Sequence, residues 1–126
     1  MFENTHAFSG FSVNDIDAAK KFYGQTLGLA VQDDDMGLHI KLATGAEVFV
    51  YQKDNHEPAT YTMLNFPVDD IEQAVAALEA KGVTLEHYPG MTDDKGIARG
   101  LEHDQGPDIA WFKDPAGNIL SVLQDK

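Results

Sequence analysis

Residues 8–19 read Phe-Ser-Gly-Phe-Ser-Val-Asn-Asp-Ile-Asp-Ala-Ala, and residues 63–74 read Met-Leu-Asn-Phe-Pro-Val-Asp-Asp-Ile-Glu-Gln-Ala. At an offset of 55 residues Phe11 falls on Phe66, Val13 on Val68, Asp15 on Asp70, Ile16 on Ile71 and Ala19 on Ala74. Each copy is an alternating run, then an aspartate, then apolar residues at helical spacing. Phe11 and Val13 sit two apart, as do Leu64, Phe66 and Val68, so each set takes one face of a strand. Asp70 with Gln73 three residues on has the form of a capping box, and Asn14 with Asp17 is its weaker counterpart. Ile16, Ala19 and Tyr23 then share a helical face, as do Ile71, Ala74, Val75 and Leu78. Two copies make a duplicated half-domain; a solenoid needs three or more units.

Working outward, the first helix is followed by three strand-like segments, Leu29–Gln32, Leu38–Leu42 and Glu47–Gln52, punctuated by Asp33–Asp35, Gly37 and Gly45. The second is followed by Val83–Tyr88, Asp108–Lys113 and Ile119–Gln124, the last two joined by the turn Asp114-Pro115-Ala116-Gly117-Asn118. The order strand–helix–strand–strand–strand thus occurs twice, as module one over about 6–55 and module two over about 61–125, with 56–60 as the connection. The expected class is α+β, in a single domain over 1–126. Residues 89–106 form a long polar loop of the kind that serves as a lid or binding loop, with room for a short strand near Ile97–Leu101.

Composition narrows the function. The chain has 126 residues, 21 acidic against 9 basic side chains and a formal charge of −12. That balance disfavours nucleic acid and anionic lipid surfaces as partners. No cysteine is present, which excludes disulfides, thiolate metal sites and cysteine nucleophiles. No apolar run approaches the ~20 residues that span a bilayer, and the start lacks the pattern of a signal peptide, so a cytoplasmic location is expected. No nucleophile motif, phosphate loop or dinucleotide fingerprint appears.

Several motifs carry a family resemblance: Phe22-Tyr23 followed by Leu27-Gly28-Leu29, Val68-Asp69-Asp70-Ile71, Lys81-Gly82-Val83, and the run Ala110–Asn118. Together with the duplication, over roughly Phe8 to Gln124, the chain resembles the vicinal oxygen chelate superfamily. That superfamily includes glyoxalase I, fosfomycin-resistance enzymes, extradiol dioxygenases and bleomycin-resistance proteins. The resemblance implies two βαβββ modules forming a curled mixed sheet around a cleft, with helices on the convex side. In metal-using members a His or Glu projects inward from the first and last strand of each module. Carried over position by position, these places fall on Phe8, Val50, Met63 and Ser121. None offers a carboxylate or imidazole, and a divalent ion needs several such donors converging at ~2.0–2.6 Å. The expectation is therefore no metal, no cofactor and no catalytic residue. The chain then resembles bleomycin-resistance proteins, which hold a drug or metabolite between the subunits of a homodimer. The alternative is a glyoxalase-like lyase or isomerase, or a dioxygenase, with a non-standard or metal-free site.

The remaining candidates follow from strand alternation. In Leu38-His39-Ile40-Lys41-Leu42 the apolar residues take one face, leaving His39 on the cleft face as a ligand contact or a merely structural histidine. Ile109 and Trp111 alternate with Ala110 and Phe112. With Phe112 in the core, Trp111 faces the cleft, either as a stacking platform for a planar or cationic ligand or as a space-filling hydrophobe. Asn65 and Ser121 add polar groups. The expected ligand-binding set is Phe8, His39, Val50, Met63, Asn65, Trp111 and Ser121, for a small molecule of cationic or aromatic character. His6 and His56 read as solvated surface.

Overall fold

Two aspartates start the two helices in the same way. In the computed structural model, which describes all 126 residues, Asp15 precedes α1 (Ile16–Lys21) and Asp70 precedes α2 (Ile71–Ala80). A carboxylate oxygen of Asp15 accepts from the N–H groups of Asp17 and Ala18, and that of Asp70 from Glu72 and Gln73, all within 3.2 Å. The cap of the first helix is thus Asp15, the residue that matches Asp70 in the repeat, one place on from the weaker Asn14 pattern. Asp15 has the extended backbone of a cap residue, and a carboxylate answers the positive end of the helix better than an amide. The first free helical N–H takes an acceptor from the end of the last strand. Ile16 donates to Gln52 Oε1 at 2.9 Å, and Ile71 to Gln124 Oε1 at 2.8 Å. Each helix is thereby pinned to its own sheet.

The chain divides into two compact units, Met1–Glu57 and Pro58–Lys126. Unit one holds β1 (Ser9–Val13), α1, β2 (Ala30–Asp33), β3 (Leu38–Lys41) and β4 (Glu47–Gln52). Its sheet has the order β1-β4-β3-β2, with β1 and β4 parallel and the other pairs antiparallel. Unit two holds β5 (Thr62–Pro67), α2, β6 (Ile97–Arg99), β7 (Asp108–Lys113) and β8 (Ile119–Gln124), in the order β5-β8-β7-β6 with the same pairing senses. Each unit is therefore one βαβββ module.

One face of each sheet packs under its helix. Leu38, Ile40, Val48 and Val50 are buried in unit one together with Ala19, Phe22 and Tyr23. Ala110, Phe112, Leu120 and Val122 are buried in unit two together with Ile71, Val75 and Leu78. Burying each larger side chain stabilises by about 1.5–3 kcal/mol, which these short helices need, since neither persists alone in water. α1 runs into a π-turn over Phe22–Thr26, where Leu27 N–H donates to Phe22 O at 2.9 Å. The wider turn keeps Phe22 and Tyr23 together on the buried side.

The segment Val83–Tyr88, expected as a strand, is reduced to one bridge, Leu85 opposite Phe112. Regular antiparallel pairing would next set His87 opposite Ala110. Ile97 stands there instead, as the first residue of β6. The chain leaves the sheet edge after Leu85, makes an excursion over 86–96 and rejoins the edge at β6. Gly96 closes the neck of this excursion. Its φ is +84°, and a Cβ there would lie 3.1 Å from Leu85 Cβ and 3.2 Å from Glu86 O, so only glycine fits both conformation and space.

Candidate functional site

The face of each sheet opposite its helix carries a row of residues in cross-strand register. In module two the row is Asn65–Ser121–Trp111, across β5, β8 and β7. In module one it is Gly10–Phe49–His39–Gln32, across β1, β4, β3 and β2. Gly10 thus corresponds to Asn65, Phe49 to Ser121 and His39 to Trp111. This equivalence corrects the placement of Val50. Val50 is fully buried on the helix-facing side, level with Leu38, and Phe49 holds the place matching Ser121. The signal was present in Gly45 and Gly117, both at positive φ in turns with the same backbone bonds. Counting four residues on from each glycine lands on Phe49 and Ser121.

The two rows differ in chemistry. Ser121 is fully buried and its hydroxyl donates to Asn65 Oδ1 at 2.6 Å. Beside them Trp111 is partly exposed, its indole N–H donating to Thr62 Oγ1 at 3.1 Å and its ring meeting that of Tyr88 edge-on at 5.5 Å. Thr62 stands where strand alternation alone sets Met63. The register slips between Thr62 and Leu64, so this β-bulge puts Thr62 opposite Ile119, on the Trp111 side. Nothing in the local sequence marks that slip, which is why Met63 was singled out and Thr62 was not.

In module one His39 is held by carboxylates on both ring nitrogens. Asp34 Oδ2 lies 2.8 Å from Nε2 and Glu47 Oε2 3.2 Å from Nδ1, with the Phe49 ring at 5.1 Å. The hydrogen bond to Asp34, and next that to Glu47, raises the His39 pKa above its ordinary value. Asp34 is held low by the Met36 backbone N–H and by His39, and Glu47 by Lys41 and then His39. His39 ties the β2–β3 hairpin to β4. A base needs a free ring nitrogen, and both of these are engaged. Phe8 lies just ahead of β1, on the parity of Gly10, and is 68 % exposed. His56, expected in solvent, is half-buried with its ring nitrogen 2.6 Å from Ser12 Oγ.

Of the seven expected ligand contacts, the structure brings Asn65, Trp111 and Ser121 together on one face of module two. Met63 is displaced by the bulge, and Phe8, His39 and Val50 belong to module one. The cavity that Trp111 lines has a volume of about 570 Å³ and lies wholly within module two. Its lining includes Ile109 and Trp111 of β7, Ala98 and Arg99 of β6, and Met91 and Pro107 from the segments that flank β6 in sequence. The long loop expected over 89–106 thus supplies most of the lining, with the short strand β6 inside it. Asp93 organises it, one oxygen accepting from the N–H groups of Lys95 and Ile97, the other from Arg99 Nε at 2.9 Å. Burial pushes the Asp93 carboxyl up, but these donors outweigh it and hold it below the ordinary value.

The residues do not fit a divalent metal. The places the superfamily uses fall on Phe8, Phe49, Ser121 and, at the bulge in β5, Met63 or Thr62, which offer no imidazole or carboxylate. No three His, Asp or Glu side chains converge on a common point. The one histidine with two carboxylates has them on opposite sides of its ring, where a single ion cannot reach both.

Residues 6–122 match the family model described as Glyoxalase/Bleomycin resistance protein/Dioxygenase superfamily. No curated protein matches. Among solved structures, a glyoxalase family protein from Enterococcus faecalis is 24 % identical with a TM-score of 0.69, covering 98 % of this chain and 99 % of its own. A glyoxalase/bleomycin resistance protein/dioxygenase from Alicyclobacillus acidocaldarius is 16 % identical with a TM-score of 0.71, covering 96 % and 91 %. A fosfomycin resistance protein from Listeria monocytogenes is 13 % identical with a TM-score of 0.68, covering 95 % and 92 %.

Proposed function

The chain belongs to the Glyoxalase/Bleomycin resistance protein/Dioxygenase superfamily, and from that premise we propose that it is a metal-independent member that binds a small molecule. The observation that carries this reading is the cavity of about 570 Å³ that Trp111 lines, on a fold whose metal-ligand places hold no imidazole or carboxylate. That volume falls within the ~300–1,000 Å³ of small-molecule sites. The proposed role is to hold a drug or metabolite, as bleomycin-resistance proteins do, with a second copy of the chain as partner. A chain of net charge −12 favours encounter with cationic ligands over anionic ones.

Two measurements test the reading together. Elemental analysis after incubation with zinc, nickel, manganese and iron should return substoichiometric metal; one tightly held equivalent overturns metal independence. A panel of aromatic drugs and metabolites, titrated while following Trp111, the only tryptophan, should yield saturable quenching. The same ligands should raise thermal stability, by about 2.7 kcal/mol when free ligand is roughly a hundred times Kd. A panel that leaves both signals unmoved overturns the binding role.

A further inference from the structure

Thr92, Asp93 and Arg99 of the cavity lining are already engaged within the protein. Arg99 donates through Nε to Asp93 and through a terminal nitrogen to Glu72 Oε1 at 3.3 Å, and its other terminal nitrogen stands 3.7 Å from Asp108 Oδ2. Lys95 is paired with the same Glu72 oxygen at 2.7 Å. Three carboxylates therefore surround two cations, and the cluster is net negative. Exposed Glu102, 3.9 Å from His103, adds a further carboxylate at the rim. An anion entering this space meets a guanidinium that is already held by carboxylates of its own.

The indole is restricted in the same way. An indole has one donor, and that of Trp111 is taken by Thr62. A ligand acceptor therefore has no indole N–H to reach for. The part of the ring that stays exposed lines the cavity together with Ile109, Pro107 and Met91. Two contacts fix the ring plane, the Thr62 hydrogen bond and the Tyr88 edge. The first exists only because the bulge in β5 turns Thr62 to that side of the sheet.

We infer that the cavity takes a planar aromatic ligand without negative charge by stacking on Trp111, and that Thr62 is the residue that positions the indole for it. This rests on the ligand-binding reading above. The test uses two probes with the same three-ring skeleton, acridine and acridine-9-carboxylate, titrated at pH 8 by Trp111 quenching and by calorimetry. Acridine should bind at least about tenfold more tightly. Thr62→Val, which keeps the shape and removes the acceptor, should weaken acridine about fivefold, and should shift the emission and anisotropy of Trp111 without any ligand. Thr62→Ser should restore both. Equal or tighter binding of the carboxylate overturns the ligand class alone. A Thr62→Val protein that matches the parent in affinity and emission, or a Thr62→Ser protein as impaired as Thr62→Val, overturns the positioning role alone. If neither probe binds the parent protein, the ligand-binding reading falls and this inference with it.

Discussion

Module one and module two share a backbone but hold their central rows differently. At the same place on the third strand of each module, one carries His39 and the other Trp111. His39 is fastened by carboxylates from its own hairpin and from β4. Trp111 is fastened by a hydroxyl that only a slipped register brings within reach. The shared turn shows the same divergence. Leu42 and Asp114 begin equivalent turns, with Gly45 and Gly117 at φ of +91° and +86° and matching backbone bonds. Asp114 adds a buried carboxylate to its turn, accepting from the N–H groups of Ala116 and Asn118 and from the Asn118 amide, where the matching turn has one exposed bond, from Ala46 N–H to Thr44 Oγ1 at 3.3 Å. The two halves keep one frame, and different polar residues tie the rows, His39 through two carboxylates and Trp111 through one hydroxyl.

The largest effect that would break this comparison is expected at the turn. Asp114 is buried and serves three donors, so Asp114→Ala should destabilise by about 2–3 kcal/mol in urea unfolding. Leu42→Ala in the matching turn removes no such acceptor, and a loss as large as that of Asp114→Ala would show that the side-chain cradle is not what distinguishes the turns. Next comes the row itself. Trp111→Ala should weaken any ligand found for the cavity by about tenfold or more, while His39→Ala leaves its affinity unchanged by calorimetry. The reverse pattern would move the site to module one.

The two helix ties should behave alike. Gln52→Ala and Gln124→Ala each remove an acceptor from a first helical N–H, at a cost of about 1 kcal/mol each in thermal unfolding. Unequal losses would show that the duplicated device is not used equally. The smallest effect concerns pH. The folded His39 pKa is raised, so its contribution is fully present below the unfolded value near ~6.5 and is lost as pH rises through the folded value. Stability measured across that window should fall more steeply for the parent than for His39→Gln. Parallel curves would mean that the two carboxylates do not hold the ring in solution.

The sequence made the frame readable because the features that repeat are local. Asp before Ile, alternation before Asp and glycine in the turn each act within a few residues, and β4, β7 and β8 occupy the expected residues. What escaped depends on distant partners. Val50 looked equivalent to Ser121 because module one has no turn proline to count from. Val83–Tyr88 has strand alternation, but β6 takes the place on the sheet edge that it would have continued along. Thr62 owes its role to a register slip, which no single residue announces. Trp111 was legible because its alternation with Phe112 survives in the sheet, and the cavity beside it was not, because its walls come from the loop.

The neck at Leu85 and Gly96 has a consequence for how this protein can change. The excursion leaves and returns to the sheet edge at nearly one point, while Leu85 opposite Phe112 and Ile97 opposite Ala110 hold the edge on either side. Chain inserted there adds closure entropy only slowly, about 0.6 kcal/mol for each doubling of loop length. One wall of the cavity is therefore an interchangeable part, which mutation can lengthen, shorten or replace while the sheet that carries Trp111 stays as it is.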